Sequence, residues 1–309
     1  MHTRLRGLLA VVSMLILASG CDKRAPGATH DSQTSLAGKP RVLFLVFGDR
    51  ADPRVLPVGT LAEHKILPLE FDERGWHGFD NLYFAAGANL AVYRAGEMLG
   101  DGVVRRGMWG EGAPLYKLPS CRTLRPLGAV TMSRAPEGQV MMEFLATSDP
   151  LTPAPTRAPT TSADLDSARS LAARVVQHEG FTAAQRLELE AVHFAVHTGA
   201  TTHPTLIGSY IESGSGLTGT PRHVFLIGDY AESTHNYVQS LVHVPADSVR
   251  EYYRFIDHLD LTDDGIDEII VESSQKGGNS YLLFLQFRDG HWREIARGPA
   301  SWCEDMSRR

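Results

Sequence analysis

Leu259-Asp-Leu-Thr-Asp-Asp-Gly-Ile-Asp-Glu-Ile-Ile-Val-Glu272 joins a polar loop to the start of an apolar run. Oxygen-bearing side chains alternate at Asp260, Thr262 and Asp264, and Gly265 supplies the backbone freedom for a tight turn. Ile269-Ile270-Val271 is short and branched, which reads as a buried strand. A second segment, Val196-His-Thr-Gly-Ala-Thr-Thr-His-Pro-Thr-Leu-Ile-Gly-Ser209, has the same layout when Asp260 is placed over His197. In each, an apolar residue precedes a polar loop that enters a strand. The pair reads as a repeat of roughly sixty residues, in the range where propeller blades occur.

The loop is also the one stretch whose spacing carries metal chemistry. Calcium takes six to eight oxygen ligands, and a tight loop offers them from positions 1, 3 and 5, the carbonyl of 7 and a later carboxylate, with glycine at 6. Asp260, Thr262, Asp264, the Ile266 carbonyl and Glu268 hold those places, with Gly265 at the turn. An EF-hand requires glutamate at position 12, and Val271 stands there, so that loop type is excluded. The segment resembles the calcium loop of FG-GAP, integrin-type propellers, whose closing acidic residue opens a strand. Thr262 departs from the usual Asp or Asn and supplies an uncharged ligand. In the second segment His197, Gly199, Thr201 and Thr205 stand where the ligands would be, so no second calcium site is expected there.

Outward from the loop the pattern stays β. Strands are expected over 187–196, 205–211, 222–227, 237–244, 268–271 and 281–287, and earlier over 41–47, 82–84, 90–93 and 103–104, with 129–132 and 139–144 as a hairpin. Gly75-Trp76-His77-Gly78 reads as a turn. One helix is expected with Ser162 as its cap, Leu165, Ala168, Ala172, Val175 and Val176 on one face and Gly180 to end it. Ahead of it, Leu-Thr-Pro-Ala-Pro-Thr-Arg-Ala-Pro-Thr over 151–160 is held extended by its prolines and reads as a linker. The expected organisation is a β-rich domain over 41–147, a linker over 148–162, a helix plus FG-GAP-like β domain over 163–303 and a tail over 304–309. The fold class is α+β, mostly β: two β-rich domains with one connecting helix, the second resembling propeller-type blades.

Other constellations are weaker. His193, His197 and His203 invite a zinc reading, but the glutamate of a His-Glu-x-x-His helix is missing. Gly214-Ser-Gly216-Leu-Thr-Gly219 matches a dinucleotide fingerprint by letter and leads into Pro221 and a strand, so it reads as a hairpin loop. No Gly-x-Ser-x-Gly elbow occurs. Trp76, Trp109, Trp292, Phe79, Tyr83 and Tyr93 read as packing residues. A net charge of −6 with no Lys/Arg cluster argues against a nucleic-acid partner, while 43% hydrophobic and 21% charged residues suit a globular chain with a sizeable core.

The first residues give an address. Arg4 and Arg6 lead into the apolar run 8–17 and then Ala18-Ser19-Gly20-Cys21, the layout of a secretory signal over 1–20. With cysteine at the cut, the segment resembles the lipobox of bacterial lipoproteins, although Ala18 stands where that family usually has Leu. The resemblance implies cleavage before Cys21, acylation of Cys21, and a body held on an envelope bilayer facing the periplasm; Asp22 resembles an inner-membrane retention signal of enteric members. Residues 21–40, rich in Pro, Gly, Ser and Thr, then form a tether. With Cys21 lipidated, Cys121 and Cys303 remain as one disulfide or two buried thiols. The expected task is binding or scaffolding with an envelope protein as partner; the alternatives are a zinc-dependent hydrolase and an inhibitor or assembly factor of an envelope enzyme.

Overall fold

The computed structural model describes residues 39–108, 121–134, 141–182, 189–212, 222–245, 251–275 and 280–305. The signal segment, Cys21, the tether up to residue 38, Trp109, the Gly214–Gly219 loop and the tail beyond 305 lie outside them.

The run 41–47 is apolar on both pleats, so a strand there needs two hydrophobic surfaces. It has them. The first strand, β1 (Arg41–Asp49), sends Val42, Phe44 and Val46 into one core and Leu43 and Leu45 into another. β1 pairs with β2 (Arg54–Ala62) on one side and β8 (Met141–Thr147) on the other. From β8 the antiparallel order continues through β4 (Asn89–Arg94), β5 (Glu97–Gly107) and β7 (Gly128–Met132) back to β2, with β3 (Lys65–Pro68) added outside. Six strands therefore close a barrel. The expected hairpin of 129–132 with 139–144 is not formed: β7 pairs with β5 and β2, whereas β8 lies between β1 and β4.

The turn expected at Gly75–Gly78 is inside a helix, α1 (Glu73–Tyr83), and residues 82–84 are its end rather than a strand. Asp72 caps it by accepting from the Gly75 amide, and Trp76, Phe79 and Tyr83 lie one helical turn apart on its buried face. Two glycines in a short segment masked that periodicity. The chain thus has two helices among the described residues, not one. Trp76, Phe79, Tyr83, Tyr93 and Trp292 are all buried.

The second helix, α2 (Ser162–His178), is capped by Thr161 rather than Ser162, through a capping box with Asp164. Two antiparallel meanders follow. One is β9 (Leu189–Val196), β10 (Thr205–Glu212), β11 (His223–Ala231) and β12 (Asn236–His243); the other is β13 (Glu251–Leu259), β14 (Glu268–Gln275), β15 (Ser280–Arg288) and β16 (His291–Pro299). Their registers run in parallel. Ile207 of β10 faces Phe194 and Ile227, and Ile270 of β14 faces Asp257 and Phe284. The third and fourth strands slip register between Ile227 and Gly228 in one and between Phe284 and Leu285 in the other.

The layers stack as barrel, β13–β16 sheet, β9–β12 sheet and α2. Leu43, Leu45, Ala91, Tyr93 and Leu145 of the barrel share a core with Ile270, Leu282 and Phe284. The opposite pleats, Ile269, Val271, Leu283 and Leu285, pack on Ile207, Phe225 and Ile227. Leu206, Val224 and Leu226 then meet Ala168, Leu171, Ala172 and Val175 of α2. Gly228 permits that last approach, since a β-carbon there would collide with Leu171. The sheets read as unbroken apolar runs because both of their faces are covered. Residues 40–309 accordingly make one compact unit, the core at the barrel junction being shared by N-terminal and C-terminal strands.

Residues 150–161 carry no regular structure but are a docked strap. The Leu151 amide donates to the Tyr93 hydroxyl at 2.7 Å, and the Thr160 hydroxyl donates to the Ala195 carbonyl at 2.6 Å. Between them Arg157 makes a two-pronged ion pair with Asp267, at 2.8 and 2.6 Å, and also donates to the His197 carbonyl. The Asp267 side chain is 1% exposed. Arg157→Met should therefore destabilise the protein by about 3 kcal/mol, the usual cost of orphaning one charge of a buried pair. A urea midpoint unchanged from wild type would show that the Arg157–Asp267 pair does not hold the strap.

Candidate functional site

The loop between β13 and β14 is built around its own carboxylates. Asp260 accepts from the Asp264 amide at 3.2 Å and the Gly265 amide at 3.0 Å, while Asp264 accepts from the Ile266 amide at 2.9 Å. Asp263 and Gly265 take left-handed backbone at φ 57° and 84°, which closes the turn. Beneath it Glu268, fully buried, accepts from the Leu261 and Thr262 amides and from the Thr262 hydroxyl at 2.8 Å. Gln286 reaches across from β15, its amide nitrogen 3.0 Å from the Thr262 hydroxyl and 2.9 Å from the Asp264 carboxylate. Its carbonyl oxygen Oε1 is buried without a hydrogen-bond partner.

Among the described residues no cationic side chain pairs with Asp260, Asp264 or Glu268. Burial raises the Asp260 carboxyl above its ordinary range, and the neighbouring Asp264 and Asp267 charges push the same way. Burial likewise pushes Glu268 up to about 7, with repulsion from Asp264 and Asp260 adding to it. His64 approaches, but its Nδ1–H donates to the Thr262 carbonyl at 2.6 Å and not to a carboxylate. Arg157 is engaged with Asp267.

The far side of the same loop borders a cavity of about 590 Å³. The strap forms one wall, the β4–β5 turn with Gly96 and Glu97 another, and His197, His258, Asp260 and Asp267 the base. His258 Nδ1 donates to Asp267 at 2.6 Å, and Asp257 accepts the Ala95 amide at 2.8 Å, so the barrel hairpin is tied to this base. Gly96, at φ 77°, sits where a β-carbon would strike His258 and Asp267.

The five loop positions read from sequence, Asp260, Thr262, Asp264, Ile266 and Glu268, thus share one turn. The three histidines do not share a site. His193 Nε2 bonds the Tyr210 hydroxyl, His203 stacks on Tyr230 at 3.8 Å, and His197 faces the cavity with its basicity lowered, chiefly by burial. Among the described residues no three His, Cys, Asp or Glu side chains already form a metal-holding group. The strands opening at Cys121 and Cys303, β6 (Cys121–Leu124) and β17 (Cys303–Asp305), pair antiparallel with each other.

Sequence reasoning missed Gln286, Asp267, Arg157 and His258. Gln286 had a signal: it is the lone amide in the apolar run Tyr281-Leu-Leu-Phe-Leu-Gln-Phe287. Arg157 had one too, as the single charge among prolines, alanines and threonines. No protein-family model matches the chain, and no curated protein or solved structure matches it either. None of the helices in the described residues is long and apolar enough to cross a membrane.

Glu268 gives the loop a pH signature. Its folded pKa is raised from 4.5 to about 7, so its contribution to stability is present below about pH 4.5 and lost as pH rises through 7. Glu268→Gln removes that dependence. In chelator the variant should exceed the wild type by about 3 kcal/mol near pH 8, with the gap closing toward pH 4.5. Urea melts across this range measure it; a gap independent of pH would mean that the carboxylate is not desolvated.

Proposed function

We propose that this chain is an exported lipoprotein, acylated at Cys21 and held on a bacterial envelope bilayer facing the periplasm, which acts as a binding or scaffold protein stabilised by calcium in the Asp260 loop. The observation that carries the calcium reading is the uncompensated charge of that loop: buried Glu268 and half-buried Asp260 are both pushed toward protonation, and the nearest guanidinium is committed to Asp267. The donor set suits a hard cation, being all oxygen. Asp260, Thr262, Asp264, the Ile266 carbonyl and Glu268 would hold it, and the ion would supply charge neutralisation and rigidity. In this reading the two meanders are tandem units of FG-GAP type, supported by their common register and by the loop's place between first and second strands.

The seat for a ligand or partner segment is the strap-walled cavity, which adjoins the calcium loop through Asp260. Calcium binding would therefore stiffen one edge of the seat. Calorimetric melts of the whole chain in detergent test the proposal, because a ligand confined to the native state raises the midpoint. At a calcium concentration about a hundredfold above Kd the gain should be about 2.7 kcal/mol, and it should vanish in Asp260→Ala/Asp264→Ala. A gain that survives the double replacement would place calcium elsewhere.

The Cys121–Cys303 bridge belongs to the same oxidising-compartment reading, supported by the pairing of the two strands that carry these residues. Thiol titration of the denatured, unreduced protein should then find no reactive cysteine other than any unlipidated Cys21. Two further thiols would remove the bridge.

A further inference from the structure

The loop supplies five residues with ligand oxygens, and calcium takes six to eight oxygens. The register of the two meanders shows where the next one stands. Leu206 of β10 faces Gly228, and Ile269 of β14 faces Leu285, so the residues that follow on the third strands, Asp229 and Gln286, occupy matching places opposite the loop in each meander. The residues opening the second strands, Thr205 and Glu268, match in the same way.

The two third-strand residues meet opposite chemistry. Asp229 is surrounded by donors: the Thr205 hydroxyl at 2.7 Å, the Ser240 hydroxyl, and Trp292 Nε1 at 2.7 Å. Every lone pair it needs to place is placed, and the position is satisfied by protein alone. Gln286 is surrounded by oxygens. Its amide nitrogen lies between the Thr262 hydroxyl and the Asp264 carboxylate, and the amide oxygen, with the residue 96% out of solvent by its 4% exposure, has no partner. A buried acceptor left unsatisfied costs about 1–3 kcal/mol, so this orientation of the amide carries a cost that the reverse orientation, with its oxygen on a cation at the loop, would relieve.

We propose that Gln286 is the sixth ligand of the calcium site, through its side-chain oxygen. A half-turn of the terminal amide exchanges its two ends, which are nearly equal in shape. The oxygen then lies beside Thr262 and Asp264, where the nitrogen lies in the metal-free arrangement. Without the ion the amide nitrogen partly quiets the acidic oxygens as a donor; with the ion the oxygen coordinates. Gln286 is therefore the two-state element of the site, joined to the loop through its amide nitrogen without the ion and through its amide oxygen with it. This inference rests on the calcium reading of the loop.

Calcium titration calorimetry on the whole chain in detergent, for the wild type, Gln286→Leu and Gln286→Glu, tests it. Gln286→Leu should weaken calcium binding about tenfold. Gln286→Glu should tighten it by a similar factor while lowering the chelator-state melting point, since a further carboxylate joins the acidic cluster. The tightened binding cannot come from misfolding, so the second variant guards the first. Equal affinity in all three proteins, or weakened binding in both variants, would overturn Gln286 as a ligand and leave the loop site standing. Absence of calcium binding by the wild type would remove the loop reading and this inference together.

Discussion

Asp267 is the side chain on which the junction depends. It is buried, and it accepts the fork of Arg157 and the ring N–H of His258 at once. Those partners come from the strap and the end of β13, where Asp257 separately accepts the Ala95 amide of the barrel hairpin. A carboxylate is costly to bury alone and tolerable when paired and hydrogen-bonded. Its pairing joins the strap to the end of β13, so the ion pair also fixes these two stretches against one another.

The very next residue, Glu268, faces the opposite situation. Amide and hydroxyl groups surround it, and neutral donors offset only part of its desolvation, which is why its proton is held to about pH 7. Two acidic side chains in one turn thus differ by whether a guanidinium reaches them. The cavity beside the loop shares Asp260 and Asp267 as lining.

The layered stack explains the texture of the sequence. β1, β4, β8, β14 and β15 each feed alternate residues into two different cores, so period-two alternation is erased and continuous apolar runs remain. β16, at the edge of its sheet, shows the reverse: its mixed and charged sequence gives no apolar run, and reading from sequence passed over it. β13, with Tyr252, Tyr253, Arg254 and Asp257 interspersed, was passed over for the same reason.

By itself the sequence determined what is local: the buried strands at 41–47, 205–211 and 281–287, α2 with its apolar face, and the tight turn around Gly265. Each follows from spacing within a few residues, where backbone period and turn chemistry act directly. Tertiary structure alone decided the rest. Barrel closure places β8 between β1 and β4, strands far apart in sequence, and no local period encodes such a choice. Packing against the barrel interior made a helix of a glycine-bearing segment that reads as a turn. The supposed linker became a wall because Arg157 found a buried carboxylate more than a hundred residues away, with a separation of 110, and charge pairing across that distance is settled only when the chain has folded.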